Sequence, residues 1–90
     1  MAKSEEILRN LLLDAVIDGE FGSGIVVSVA DLKTTFAGKF KEKTLDTFLS
    51  NSEMGALTSG YHRFTIRIDK GLYQIHPVEL LYRMRDRKLV

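Results

Sequence analysis

Few residues in this chain have the types and spacing that chemistry needs. There is no cysteine, which excludes disulfides, thiolate zinc sites and cysteine nucleophiles together. His62 and His76 are the only histidines. A zinc site would need further carboxylate ligands, and no spacing supplies them. Alternation places His62 on the same strand side as Phe64, as a core or edge histidine. His76 precedes Pro77 and reads as a helix cap. Gly22-Ser23-Gly24 holds a serine between glycines, but it follows a helix, whereas a nucleophile elbow follows a strand. The glycines of Gly19-Glu-Phe-Gly-Ser-Gly24 fail as a phosphate cradle for similar reasons. Ile25 stands where the phosphate-binding loop needs its lysine, and a dinucleotide fingerprint needs a strand before it. Glu5 and Glu6 are explained by the dipole of the helix they open. No catalytic constellation and no cofactor site emerge, so the expectation is a binding protein, not an enzyme.

The remaining candidates are cations. Net charge is only +1 over 90 residues, but the charge is unevenly placed. Residues 1–32 hold two bases, Lys3 and Arg9, against six acids. Residues 33–90 hold eleven bases against six acids. Such a split can mean that one face meets an anion, or it can be chance. Hydrophobic residues are 44% and charged residues 28%, which argues for a globular core and against disorder. The longest apolar runs, Leu11-Leu12-Leu13 and Ile25-Val26-Val27, fall far short of a membrane span. The opening Met-Ala-Lys-Ser-Glu-Glu lacks the apolar run of a signal peptide, so a cytoplasmic location with no membrane partner is expected.

Seven elements must position these cations. Apolar residues at three- and four-residue spacing predict helix 1 over about Ser4 to Asp18, capped by Ser4 and stopped by Gly19. Its apolar face is wide enough to be contacted on two sides. Ile25 to Val29 is a short β-branched strand. Ser28 offers a cap, with Asp31 completing a capping box, for a helix over about Val29 to Ala37. Leu32 and Phe36 face inward there, and Gly38 ends it. A third helix runs from Lys41 or Glu42 to Asn51, with Leu45, Phe48 and Leu49 on one face. Tyr61 to Ile68 alternates as a half-buried strand, with His62, Phe64, Ile66 and Ile68 on one side and Tyr61, Arg63, Thr65 and Arg67 on the other. Asp69-Lys70-Gly71 is a hairpin turn, and Leu72 to His76 returns. Pro77 opens a last helix with Val78, Leu81 and Met84 inward, ending in Arg83, Arg85, Arg87 and Lys88.

This order of elements resembles the winged helix-turn-helix fold. Three stretches carry the resemblance further. Ser28-Val-Ala-Asp-Leu32 looks like the opening of the family's second helix. Thr44-Leu-Asp-Thr-Phe-Leu49 looks like its recognition helix. Gly71-Leu-Tyr-Gln-Ile75 looks like its last wing strand. The spacing of the last two is similar to that in winged-helix nucleoid silencers of the Rok kind. The resemblance implies an α+β domain over residues 1–90: a three-helix core and small antiparallel sheet over about 4–76, and an extra C-terminal helix over about 77–88.

It also implies duplex DNA as the partner, in transcription regulation or nucleoid organisation. The third helix would enter the major groove. Lys43, Thr47, Ser50 and Asn51 would face out from it, with Thr44 near its start. Lys39 and Lys41 in the preceding turn would meet phosphates. Arg63, Arg67 and Lys70 of the hairpin would add backbone or minor-groove contacts. Glu42 and Asp46 stand against this on the same helix. The alternative is a module that binds protein, including a homodimer through helix 1 or the C-terminal helix. The C-terminal bases fit a solvated helix end, a phosphate contact or a dimer surface.

Overall fold

A computed structural model describes residues 3–22, 24–54 and 63–90. Among these, four helices and three strands follow in the order α1 (Lys3–Ile17), β1 (Val26–Ser28), α2 (Val29–Thr35), α3 (Glu42–Asn51), β2 (Thr65–Asp69), β3 (Leu72–Ile75) and α4 (Pro77–Asp86). The strands form one antiparallel sheet in the order β1-β3-β2. The protein is therefore α+β. None of the described helices is long and apolar enough to cross a membrane.

Local chemistry accounts for most element boundaries. Gly19, at φ +80°, accepts the left-handed turn that ends α1. The Glu20 amide donates to the Ala15 carbonyl and the Gly19 amide to Val16, a Schellman closure. Ser28 Oγ accepts from the Asp31 amide at 3.0 Å and caps α2. His76 Nδ1 accepts from the Val78 amide at 3.2 Å and caps α4, whose first residue is Pro77. Several boundaries differ from expectation, β2 among them, which begins at Thr65 and takes in Asp69. Helix α1 starts at Lys3, so Ser4 lies inside it. Helix α2 ends at Thr35 because Phe36 leaves the helical region at φ −107°, its amide still donating to Leu32. The chain then reverses through Gly38 at φ +81°.

The core lies where α1, α2, α3 and one face of the sheet meet. Leu8, Leu12, Val27, Leu32, Leu49 and Ile75 are fully enclosed. Phe48 packs against Phe64 with ring centroids 6.0 Å apart. Leu45, Phe48 and Leu49 are all buried, as their spacing on α3 predicts.

Two apolar faces differ in phase from the expectation. On β2, Ile66 and Ile68 are exposed, at 37% and 48%, while Thr65 is wholly buried. Strand β3 sets this phase. Its core residues Tyr73 and Ile75 pair with Arg67 and Thr65, so Ile66 falls opposite Gln74 on the outer face. Phe64 is buried just before the ladder begins. Thr65 is at home in the core because its hydroxyl donates to the Leu49 carbonyl at 2.8 Å. That carbonyl belongs to the last turn of α3, where the helix itself offers no partner. Thr65→Val keeps the shape and removes the donor. We expect a loss of about 1–3 kcal/mol, read from the midpoint of urea unfolding. An unchanged midpoint would show that the carbonyl finds another donor. His62 and Tyr61 lie outside the described residues.

On α4, Leu80 is buried and Met84 half-buried, whereas Val78 and Leu81 are exposed at 42% and 40%. Helix α1 fixes this rotation. Arg83 grips Asp14 with Nε at 2.8 Å from Oδ1 and Nη2 at 2.9 Å from Oδ2. Arg87 Nη1 reaches Asp18 at 3.2 Å and Asp14 at 3.5 Å. Arg83 and Arg87 share the stripe of Leu80 and Met84, so the ion pairs turn Val78 and Leu81 outward. The bidentate bond from Arg83 holds the Asp14 carboxyl below the ordinary carboxylate range, against the smaller opposing effect of burial. A lowered folded-state value means the contribution is present above the unfolded value of about 3.9 and is lost as pH falls through the folded value. Thermal unfolding from pH 6 down to pH 2 should therefore fall less steeply in Asp14→Asn than in the native chain. Parallel curves would show that Asp14 contributes nothing to the acid transition.

Candidate nucleic-acid interface

Helix α3 divides into two faces. One is the core face of Leu45, Phe48 and Leu49. Lys43, Thr47 and Ser50 lie exposed on the other, one turn apart along the axis. Their hydroxyls are already turned to the backbone. Thr47 Oγ1 donates to the Lys43 carbonyl at 3.0 Å and Ser50 Oγ to the Thr47 carbonyl at 3.1 Å. The oxygen lone pairs stay outward and can accept, while each donor must be released to be used. Asn51 and Thr44 are half-buried.

The turn before α3 supplies the charge. Lys39 and Lys41 are exposed and line a shallow groove with Phe40 and Thr44. The turn is held by aromatic packing. Phe36 and Phe40 meet edge to face with centroids 6.2 Å apart, and Lys39 Nζ stands 6.0 Å from the Phe36 ring. Lys41 occupies the N-cap position of α3 without a side-chain cap bond, and Glu42 supplies the negative charge in the first turn of that helix.

The acids of α3 are engaged by a residue that sequence reasoning passed over. Lys33, in the last turn of α2, places Nζ 3.1 Å from Glu42 Oε1 and 2.8 Å from Asp46 Oδ1. These hydrogen bonds, Asp46 first and then Glu42, raise the lysine above its ordinary pKa. The available signal was the four-residue spacing of Glu42 and Asp46. It puts two like charges on one helical stripe and calls for a cation from a neighbouring element.

The hairpin candidates form a separate set. Arg67 and Lys70 are exposed, as is Arg63 ahead of β2. The turn itself is only Lys70-Gly71, with Gly71 at φ +69° and the Lys70 amide bonded to Asp69 Oδ1 at 2.7 Å. A register shift between Arg67 and Asp69 leaves Ile68 as a bulge. The Gly71 carbonyl accepts from the Val29 amide at 3.0 Å, which pins the hairpin tip to the first residue of α2. Lys33 joins α3 at the other end of that helix. The structure thus brings Lys39, Lys41, Lys43, Thr44, Thr47 and Ser50 together around α3. Arg67 and Lys70 belong to the hairpin, whose tip is tied through Gly71 to the start of α2.

Two of the C-terminal bases are committed inside the fold, since Arg83 and Arg87 bind Asp14 and Asp18. Arg85 and Lys88 are exposed. Among the described residues, no three His, Asp or Glu side chains gather as metal ligands. No protein-family model, curated protein or solved structure matches this chain.

Proposed function

We propose that this protein is a winged helix-turn-helix domain that binds duplex DNA, as a transcription regulator or nucleoid-organising factor without catalytic activity. The observation that carries the reading is the exposed polar face of α3, Lys43, Thr47 and Ser50, beside the exposed Lys39 and Lys41. The element order and the sheet order β1-β3-β2 support the fold assignment, with α2 and α3 as the helix-turn-helix and β2-β3 as the wing. Helix α3 enters the major groove, and the lysines of the preceding turn meet phosphates. Arg67 and Lys70 add contacts from a short wing. Arg63 and Asn51 stand at the edges of the two sets. The test is chemical-shift mapping at low salt with A·T-rich and G·C-rich duplexes. Shifts at residues 39–51 and 67–71 are expected. An unchanged spectrum would end the DNA reading.

A second reading has its own observation. Val78, Leu81 and Tyr82 form an exposed apolar stripe on α4, and Ile7 and Leu11 are exposed on α1. Such surfaces suit a protein partner, including a second copy of the chain. Sedimentation equilibrium distinguishes the cases: a monomer across the micromolar range argues against self-association. A dimer would pair two DNA-reading units, so the two readings are compatible.

A further inference from the structure

Glu42 and Asp46 present the sharpest electrostatic conflict with a polyanionic partner. Each precedes a residue of the outward face, Lys43 and Thr47. Their side chains are 77% and 46% exposed, so water and a ligand can reach both. On a bare helix each carboxylate would be free to swing through its rotamers toward that face. Both are instead bonded to one ammonium that reaches over from α2. Lys33 itself is 35% exposed at its side chain, less than either acid. It lies in the last turn of α2, and so outside the α3 face.

We propose that Lys33 is a positioning residue for DNA binding: it draws the Glu42 and Asp46 carboxylates toward α2 and off the α3 contact face. The proposal rests on the duplex reading of that face. It assigns Lys33 an effect on affinity that works through the acids, with no phosphate contact of its own. An exposed ion pair contributes little to folding. Its consequence here is where two negative charges stand relative to phosphates within a Debye length, about 10 Å at 0.1 M salt. A released carboxylate that swings onto the face repels phosphate at close range, whereas one held against α2 is both turned away and neutralised. This makes a prediction that simple charge counting does not. If Lys33 merely adds one positive charge, its removal costs the same whether or not the acids are present. If it holds them, removal costs much more when they are present.

The experiment is a double-mutant cycle on duplex affinity at low salt, using a 20-base-pair A·T-rich duplex as the probe. Lys33→Gln should weaken binding roughly 5- to 20-fold. In the Glu42→Gln/Asp46→Asn background the same substitution should cost less than about 2-fold. Lys33→Arg, which keeps the bonds, should bind as the native chain does. The carbon-13 shift of the Asp46 carboxyl should move in Lys33→Gln and stay in place in Lys33→Arg, a readout that a general loss of stability would not produce. Equal costs in the two backgrounds would overturn the role of Lys33 and leave the DNA reading standing. No duplex binding by the native chain would overturn the DNA reading, and the proposal with it.

Discussion

Replacing Lys39, Lys41 and Lys43 together by glutamine is expected to lower duplex affinity by on the order of 10³-fold at about 50 mM salt. Each phosphate contact releases condensed counterions and contributes about 0.9 to the slope of log affinity against log salt. Three contacts therefore account for a slope of about 2.7, and that term grows as salt is diluted below 1 M. The three side chains are exposed, and none forms an ion pair among the described residues. Their loss should leave the fold intact. Two measurements check this, fluorescence anisotropy over a salt series and circular dichroism of the triple variant. A reduced slope with native ellipticity supports phosphate contact by the turn and the start of α3. An unchanged slope would move the interface elsewhere, first to the hairpin bases Arg67 and Lys70.

The second large effect concerns the other face of the same helix. Phe48 is 1% exposed and packs on Phe64, so Phe48→Ala removes a ring from the centre of the core. The expected loss is about 3–5 kcal/mol, against a total of about 5–15 kcal/mol for a domain of ordinary stability. The melting temperature should fall by at least about 12 °C. Phe48→Leu keeps most of the volume and should lose much less. DNA binding by the leucine variant should equal that of the native chain, because position 48 faces inward. A melting temperature unchanged in Phe48→Ala would mean that the site collapses around the missing ring.

The accuracy of a sequence reading here depends on how far away the deciding partner lies. Gly19, Ser28 and the His76-Pro77 pair act within a few residues of themselves, and each ends or opens a helix as its type predicts. The stripe Leu45, Phe48, Leu49 is equally local, and so the outward position of Lys43, Thr47 and Ser50 follows from it. The phase of β2 is a different kind of information. Thr65 looks like a surface residue and Ile66 like a core residue until β3 fixes the register and the Leu49 carbonyl takes the hydroxyl. The rotation of α4 likewise depends on Asp14, a residue 69 positions before Arg83. Lys33 is a half-legible case: the spacing of Glu42 and Asp46 calls for a cation, but only the packing of α2 on α3 states which one. Hydrophobic periodicity states how often a face recurs. Only a distant neighbour states which face it is.

The pairing of Asp14 with Arg83 also has a consequence for how the chain is made. Helix α1 leaves the ribosome before its partner α4. At about 5–20 residues per second, the 69 positions from Asp14 to Arg83 take several seconds to appear. During that interval Leu13, buried in the finished fold beside the groove shared by α1 and α4, lacks its neighbouring helix. The interval is long compared with helix formation, which takes about a microsecond. A nascent chain would thus carry Asp14 and Asp18 before Arg83 and Arg87 have been made. Closing so wide a loop costs chain entropy, and the attraction of Arg83 and Arg87 for Asp14 and Asp18 favours the encounter.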